Sequence, residues 1–511
     1  MSSSTIGILI AIVTYLGMML YLGFRYSKAS KSSGEFYLGG RQLGPYVTAM
    51  SAEASDMSSW LLLGIPGLAY VSGICDAAWT AIGLAIGTYL NWLLVAKRLR
   101  HYTEVCGDSV TVPDFFENRF RDKSHLLMGI SSVVIVVFFV PYTASGFAAC
   151  GKLFSSLFGV NYMTAMIVSA AVIVAYTAMG GFLAASTTDF VQSIVMTAAL
   201  IFMLIFGISM SGGVGQAYDF ASSMPGYLSM THLFDSETQS AVSYGGPLAI
   251  ASTLAWGLGY FGMPHILLRF MGIQDPKKLK VSRRVGSIWV VIAMFIAILI
   301  GVLGLTMVHA GNLEGVADSE RILIAMATRL SSFGILPALL AGVVMAGILA
   351  CTMSTCDSQM LAASSSVSEN IIKGVFGLKV SEKGSILIAR GTLIVISIIG
   401  VIMARDPDSS VFQIVSFAWA GFGGAFGAVV LCALFWRRAN RWGALAGMIG
   451  GGVMVFVWKF AIKPMGGVWG IYELLPAFLT SLILIVVVSL LTPAPEQEIL
   501  DEFDKVKAIK D

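Results

Sequence analysis

Ser51-Ala52-Glu53-Ala54-Ser55-Asp56-Met57-Ser58-Ser59-Trp60, followed closely by Gly64, Pro66 and Gly67, lies inside an otherwise apolar stretch near residues 43–71. A helix facing lipid does not carry such a run, because hydrocarbon offers nothing to satisfy its hydroxyls and carboxylates. The stretch therefore predicts a membrane span, span 2 of the chain, that is interrupted in its middle. A second stretch has the same fault: Trp256-Gly-Leu-Gly-Tyr260-Phe-Gly262-Met-Pro264-His265 places glycines and a proline within the apolar span near 246–271. Glycine and proline both weaken the helical hydrogen-bond ladder, so span 7 is expected to break as well. The other reading of the pair is two packing kinks.

The surroundings of these stretches set the class. Of 511 residues, 57% are hydrophobic and 12% charged, against roughly 25% charged in a typical soluble domain. With a mean hydropathy of +0.82 the apolar material must face lipid. An all-α polytopic membrane protein is expected, with thirteen spans near 5–25, 43–71, 76–97, 126–157, 160–180, 188–211, 246–271, 282–310, 334–372, 384–404, 411–436, 442–462 and 470–492. No Lys or Arg precedes Ile6, whereas Arg25, Lys28 and Lys31 follow the first span, the reverse of a secretory leader. Most of the 32 Lys and Arg fall on alternate segments, including Arg269, Lys277, Lys278, Lys280, Arg283 and Arg284 around the end of span 7, while Ser211 to Tyr244 holds none. The positive-inside rule then puts the N-terminus outside and the C-terminus inside.

Spans 2 and 7 are five apart, and five is odd, so the broken element recurs in opposite orientation. That is the mark of an inverted five-helix repeat, spans 2–6 and 7–11. The expected organisation is 1–42, first helix and cytoplasmic loop; 43–211, first repeat; 212–245, extracellular loop; 246–436, second repeat; 437–492, spans 12 and 13; and 493–511, a short charged cytoplasmic tail. In such proteins the unwound segments meet at the midplane, where freed carbonyls coordinate a cation and half-helix N-termini face an anionic group.

Span 9 contains Cys351-Thr-Met-Ser354-Thr355-Cys-Asp357-Ser358-Gln359. Cys351 and Thr355 are i,i+4, as are Ser354 and Ser358, so one helix face carries several oxygens. A hard monovalent cation prefers such oxygens, here Ser354 and Thr355 with carbonyls of the broken span 2. The alternative is that these hydroxyls bond back to the preceding turn. Asp56, Asp189 and Asp357 are ionisable groups at membrane depth and hence functional candidates. For Asp189 and Asp357 a helix-end cap is the other reading. Glu53 lies nearer the cytoplasmic end of span 2.

The six cysteines form no CxxC pair and read as small core residues. The five histidines form no HExxH pattern, so no transition-metal site is expected. No basic stripe for nucleic acid is present. No GxSxG or paired catalytic carboxylate points to an enzyme, and no organic cofactor is expected.

The chain resembles the sodium/solute symporter family, and within it the bacterial sodium/proline symporters. The resemblance rests on Tyr37-Leu-Gly-Gly-Arg41, Ala54-Ser-Asp-Met-Ser-Ser-Trp60, Tyr142-Thr-Ala-Ser-Gly146, Gly180-Gly-Phe-Leu-Ala184, Trp256 to Gly262 with Pro264-His265, Met353-Ser-Thr355 and Trp419 to Gly427. It implies thirteen spans, the leucine-transporter-type inverted repeat and sodium-driven uptake. It also implies that sodium is held by the carbonyls of Ala54, Met57 and Cys351 and the hydroxyls of Ser354 and Thr355, with Asp56 needed for sodium coupling. Proline would lie against Ser58, Trp60, Tyr142, Trp256, Tyr260 and Pro264, with Gly64 giving the backbone room. A second cation site between Asp189 and the hydroxyls of Ser354 and Ser358 is a further implication, to which Asp357 would add a carboxylate. Two carboxylates at close range do not both stay ionised without a cation or proton between them. This chain departs from the family pattern at Ser59 (Gly expected), Met263 (Gln), Asp357 (Ser) and Glu53 (a small neutral residue).

The chemistry of the breaks agrees with a small amino acid. A sugar needs several amide or carboxylate side chains, and neither break contains Asn or Gln. Trp60, Trp256 and Tyr260 offer aromatic surface and the backbone offers donors, which suits a small apolar ring with a carboxylate. With no evident buried Arg or Lys partner, that carboxylate is expected to meet helix-terminus N–H groups. The expected function is sodium-coupled L-proline symport at the plasma membrane, with lipid, sodium and proline as partners and no obligatory protein partner. The alternatives are a sodium symporter for another small amino acid or a monocarboxylate, or a membrane sensor domain, for which the tail 493–511 leaves no output domain.

Overall fold

The computed structural model describes residues 3–27 and 33–509 and is almost entirely helical. Lys28 and Lys31, used above for orientation, lie outside the described residues. Among the described residues ten helices are long and apolar enough to cross a membrane, from Ser4–Tyr26 to Leu474–Leu491. Their outward faces are apolar at helical spacing: Ile288, Val291, Ile292 and Phe295 are exposed on one helix, and Ile394, Ile398 and Ile402 on another. Apolar side chains at i, i+3, i+4 and i+7 form the stripe that lipid covers.

Both expected breaks are present. The first helix, Pro45–Asp56, stops at Met57 (φ −73°, ψ 71°), and the Ser58 N–H turns back to the Asp56 carbonyl at 2.8 Å. Helix resumes with a widened turn over Trp60–Gly64 and continues through Ile65–Ser72. Ser and Asp at this point compete with the helical ladder through their own side chains. In the second, Gly246–Leu254 tightens into a 3₁₀ segment, Ala255–Gly262, breaks at Met263 (φ −78°, ψ 108°) and restarts as Pro264–Gly272. Proline has no N–H to donate and holds the residue before it extended, so it can only open the new helix. The glycines serve close approach. A Cβ on Gly257 would lie 2.2 Å from the Gly83 carbonyl oxygen, and one on Gly259 would lie 1.9 Å from the Trp419 indole nitrogen.

Spans 5 and 6 of the sequence reading are two helices, Tyr162–Ala178 and Gly180–Met210, that follow one another across a kink at Gly181 (φ 66°, ψ −175°). A single left-handed glycine suffices to redirect the chain. In the helix Ile335–Ser365 every residue from Val344 to Ser365 is buried. It packs against Tyr162–Met210, Ser3–Ser27 and Leu126–Phe158. Asp189 and Asp357 lie fully buried within helices, so neither is a cap at a surface end. All six cysteines are buried free thiols. The loop before the second break carries an antiparallel hairpin, His232–Asp235 with Ser240–Ser243. The tail folds as Gln497–Ala508 and buries Ile499, Phe503 and Val506.

Candidate substrate and ion site

Asp56 is the knot between the two breaks. Its carboxylate Oδ2 accepts the Tyr260 hydroxyl from the second break, while Oδ1 has no partner. Its carbonyl accepts the Trp60 indole N–H at 3.2 Å and is 3.5 Å from the Tyr142 hydroxyl. Four residues singled out in the sequence, Asp56, Trp60, Tyr142 and Tyr260, thus come together with almost no exposure. The Ser58 and Ser59 hydroxyls beside them are buried without a partner. Gly64 is one turn further on, where a Cβ would lie 3.2 Å from Phe412 and 3.4 Å from Trp60. Pro264 is buried and opens the restarted helix of the second break.

Trp256 lies one layer outward. Its ring is 6.4 Å from Trp60, 5.3 Å from Phe412 and stacked on Tyr472 at 5.0 Å. Its carbonyl accepts the Trp419 indole N–H at 2.8 Å, and Trp419 meets Tyr260 edge-on at 5.0 Å. Beyond this layer a cavity of about 980 Å³ is lined by Trp256, Phe412 and Tyr472 at one end and by Asp76, Tyr244, Lys459 and Lys463 elsewhere. Of the expected substrate residues only Trp256 reaches it. Phe412, Trp419 and Tyr472 were not among the sequence candidates. Trp419 lies in a glycine-rich stretch quoted above, which was the available signal; nothing in the sequence marks Phe412 or Tyr472. An amide is also at hand, because Asn91 donates to the Tyr260 carbonyl at 3.0 Å from a helix outside both breaks.

Of the expected sodium ligands, Ser354 joins the first break to the span that carries Cys351 and Thr355. The Ser354 hydroxyl donates to the Ala54 carbonyl at 2.7 Å and lies 3.2 Å from the Cys351 carbonyl. Thr355 donates to the Cys351 carbonyl at 3.0 Å, the back-bond within the helix that the sequence left open. Met57 is fully buried at the end of Pro45–Asp56. Glu53 accepts the Trp92 indole N–H at 2.8 Å, and its second carboxylate oxygen is buried without a partner.

The place assigned to a second cation differs from expectation. The guanidinium of Arg269 lies between Asp189 and Ser358, reaching Asp189 Oδ2 at 3.0 Å and Ser358 Oγ at 2.5 Å. Arg269 is fully buried, although its sequence position groups it with the cytoplasmic cations that follow span 7. A buried Arg is thus present after all, but it is already held by four acceptors and is not free for a substrate carboxylate. Ser354 is not among those acceptors, since its hydroxyl turns to Ala54 instead. Ser358 donates to Asp357 Oδ1 at 3.2 Å, while Asp357 Oδ2 and Asp189 Oδ1 are buried without a partner.

The sequence pattern of the Sodium:solute symporter family matches residues 36–451. The chain is 40% identical over 491 residues to the osmoregulated proline transporter OpuE of Bacillus subtilis (strain 168), covering 96% of each. It is 40% identical over 506 residues to a sodium/proline symporter of Staphylococcus aureus, covering 98% of this chain and 96% of the relative. Among solved structures it resembles a sodium-coupled sialic acid symporter in its substrate-bound, outward-open state, with a TM-score of 0.78, 18% identity and coverage of 96% of this chain and 99% of that one. It also resembles MhsT in complex with L-phenylalanine, with a TM-score of 0.51, 12% identity and coverage of 87% and 97%. The structural likenesses concern the fold, and the matched pattern together with the sequence identities carries the assignment: this chain belongs to the sodium:solute symporter family.

Proposed function

We propose that this chain takes up L-proline together with sodium by alternating access, as a multi-pass transporter of the plasma membrane. The observation that carries the reading is the bond from Ser354 to the Ala54 carbonyl at 2.7 Å, two residues along the same broken helix from Asp56, which meets Trp60 and Tyr260. Ion oxygens and substrate aromatics thereby share one interrupted helix.

In this reading sodium binds the carbonyls of Ala54, Met57 and Cys351 and the hydroxyls of Ser354 and Thr355. A hydroxyl that now donates to a carbonyl can rotate and turn its lone pairs to the ion, so the set offers neutral hard oxygens. Ala54 and Met57 flank Asp56, so an ion pulling on their carbonyls moves the Asp56 carboxylate and, through it, Tyr260. That is a direct physical route from sodium to substrate. The proline ring packs on Trp60, Tyr142, Trp256 and Tyr260 beside Ser58 and Pro264, and Gly64 leaves room. Its carboxylate meets the N–H groups that open the helical run Trp60–Ser72, where the helix dipole is positive. Trp256, Phe412 and Tyr472 form the barrier between this pocket and the outer cavity.

The topology proposed is thirteen spans with the N-terminus outside, the repeats occupying 43–211 and 246–436, and 1–42, 212–245, 437–492 and 493–511 arranged as expected above. The ten long helices, the two broken segments and the short apolar helix Tyr162–Ala178 support that count. Radiolabelled proline uptake into proteoliposomes, with and without a sodium gradient, tests the function. Saturable, gradient-dependent uptake is expected. Preference for another small amino acid or a monocarboxylate in the same assay would overturn the proline assignment, and uptake indifferent to sodium would overturn the coupling.

A further inference from the structure

Where the helical run Ile74–Val105 meets the start of Leu279–His309, a cleft of about 310 Å³ is lined by Trp92, Leu93, Lys97, Lys277, Lys280 and Arg283. Its cations come from two segments far apart in the chain, and among the described residues no carboxylate lines it. Lys277, Lys280 and Arg283 recur every third residue and so share one side of the helix start. Arg283 lies with its guanidinium 5.5 Å from the Tyr89 ring on the opposite wall. Like charges gathered this closely repel, and an anion between them relieves the repulsion. From the cations the same two helices run on with exposed apolar side chains at helical spacing. One carries Ile82, Ile86, Tyr89 and Leu93, the other Ile288, Val291 and Phe295. The floor is the buried ring of Trp92, 4.4 Å from Phe270. Its indole N–H donates to Glu53 at 2.8 Å. Glu53 belongs to Pro45–Asp56 and Phe270 to Pro264–Gly272, so both broken helices bear on that one ring.

We propose that this cleft seats the headgroup of an anionic phospholipid, which steadies Trp92 beneath the two broken helices and so sets the rate of transport. The phosphate lies among Lys97, Lys277, Lys280 and Arg283, and the acyl chains follow the two apolar stripes. Charge complementarity supports the headgroup, since ammonium and guanidinium donors on two walls suit a phosphate held between helices. The stripes support a lipid over a soluble anion, because a free phosphate uses the cations and leaves the stripes to other molecules. The bias of cations toward the inner face spreads them along loops and does not by itself border a cavity with them. On the topology proposed above the cleft opens to the inner leaflet. Alternating access moves the broken helices against their surroundings. A molecule filling the space behind Trp92 therefore changes how freely Pro45–Asp56 and Pro264–Gly272 move. The binding site requires only that the chain lies in a bilayer and holds whether or not proline is the substrate.

The test begins with native mass spectrometry of the full chain in detergent, titrated with phosphatidylglycerol or phosphatidylcholine. The parent is expected to retain phosphatidylglycerol in preference. Lys277→Gln combined with Lys280→Gln, both exposed positions, should weaken that binding about thirtyfold and leave phosphatidylcholine unchanged, because each cation near a headgroup contributes comparably. Lys379→Gln combined with Lys383→Gln removes two exposed cations elsewhere and should change it less than about threefold. Equal losses in the two double variants would mean diffuse attraction and overturn the site. Inorganic phosphate is expected not to displace the lipid at matched ionic strength; ready displacement would make the cleft a soluble-anion site and overturn the lipid assignment. Uptake is then compared in vesicles of phosphatidylcholine with and without phosphatidylglycerol. The parent should turn over faster with the anionic lipid, and the Lys277 and Lys280 double variant should lose most of the difference. Equal parent rates in both vesicles overturn the link through Trp92. Absence of sodium-driven proline uptake in either vesicle would count against the proposed function and leave the binding result standing.

Discussion

The two helix breaks reach the same end by opposite means. The first is made of polar side chains: Ser55, Asp56, Ser58 and Ser59 are all buried, and Asp56 Oδ1 and the Ser58 and Ser59 hydroxyls are left without protein partners. The second is made of shape: glycines that admit the Gly83 carbonyl and the Trp419 indole, and a proline that forces the restart. Unpartnered buried polar atoms are costly and persist where a ligand completes them, whereas glycines with no space for a Cβ mark tight packing. On the proposed function the labour is divided: the first break supplies unpartnered polar atoms to bind with, and the second adds shape and the rings of Trp256 and Tyr260.

Substitutions test that contrast. The largest effect is expected from Asp56→Ala, which removes the carboxylate that receives Tyr260 and so unties the breaks. Loss of a buried hydrogen-bonded charge typically costs 2–5 kcal/mol, so uptake should fall about a hundredfold or more, read as kcat/KM in sodium-driven uptake. A fall below tenfold would mean that the two breaks act separately. Next, Ser354→Ala and Thr355→Ala each delete one of about five oxygens around a weakly held ion. Half-saturating sodium should rise about tenfold in each, with proline affinity partly recovered at saturating sodium. Unchanged sodium activation in both would place the ion elsewhere.

On the second break, Trp256→Ala should raise the proline KM about tenfold through lost aromatic contact, while sodium binding, followed by protection of an engineered cysteine, stays within about twofold. Equal shifts in both ligands would dissolve the proposed division. Gly259→Ala tests shape alone: overpacking against Trp419 should cost about 1–3 kcal/mol, seen as a lower Tm in detergent. The smallest effect is expected from Tyr142→Phe. Its hydroxyl is 3.5 Å from the Asp56 carbonyl, too long for a good bond, so a change of only a few fold in proline KM is expected.

Membrane class, both breaks and the polar face of Ile335–Ser365 were legible because each depends on residues a few positions apart. Proline removes its own N–H, serine and aspartate compete with their own ladder, and apolar runs of span length have one solvent to face. Cys351, Ser354 and Thr355 could be placed on one face by helical period alone. The aromatic barrier was only half visible: Trp256 lies in a break, but Phe412 and Tyr472 come from segments with no mark of their own.

Local residue chemistry thus specifies a bilayer protein with two interrupted helices and a list of the oxygens near them. Which charges meet depends on how the helices pack. Arg269 looks like one of the cytoplasmic cations that end span 7, and Asp189 and Asp357 look like a carboxylate pair awaiting an ion. Folding brings Arg269 to partners 80, 89 and 218 residues away, Asp189, Ser358 and Ser51. No local periodicity encodes such a meeting. It follows from the cost of leaving a charge unpaired in a dry interior, which only a complete set of packed helices can settle.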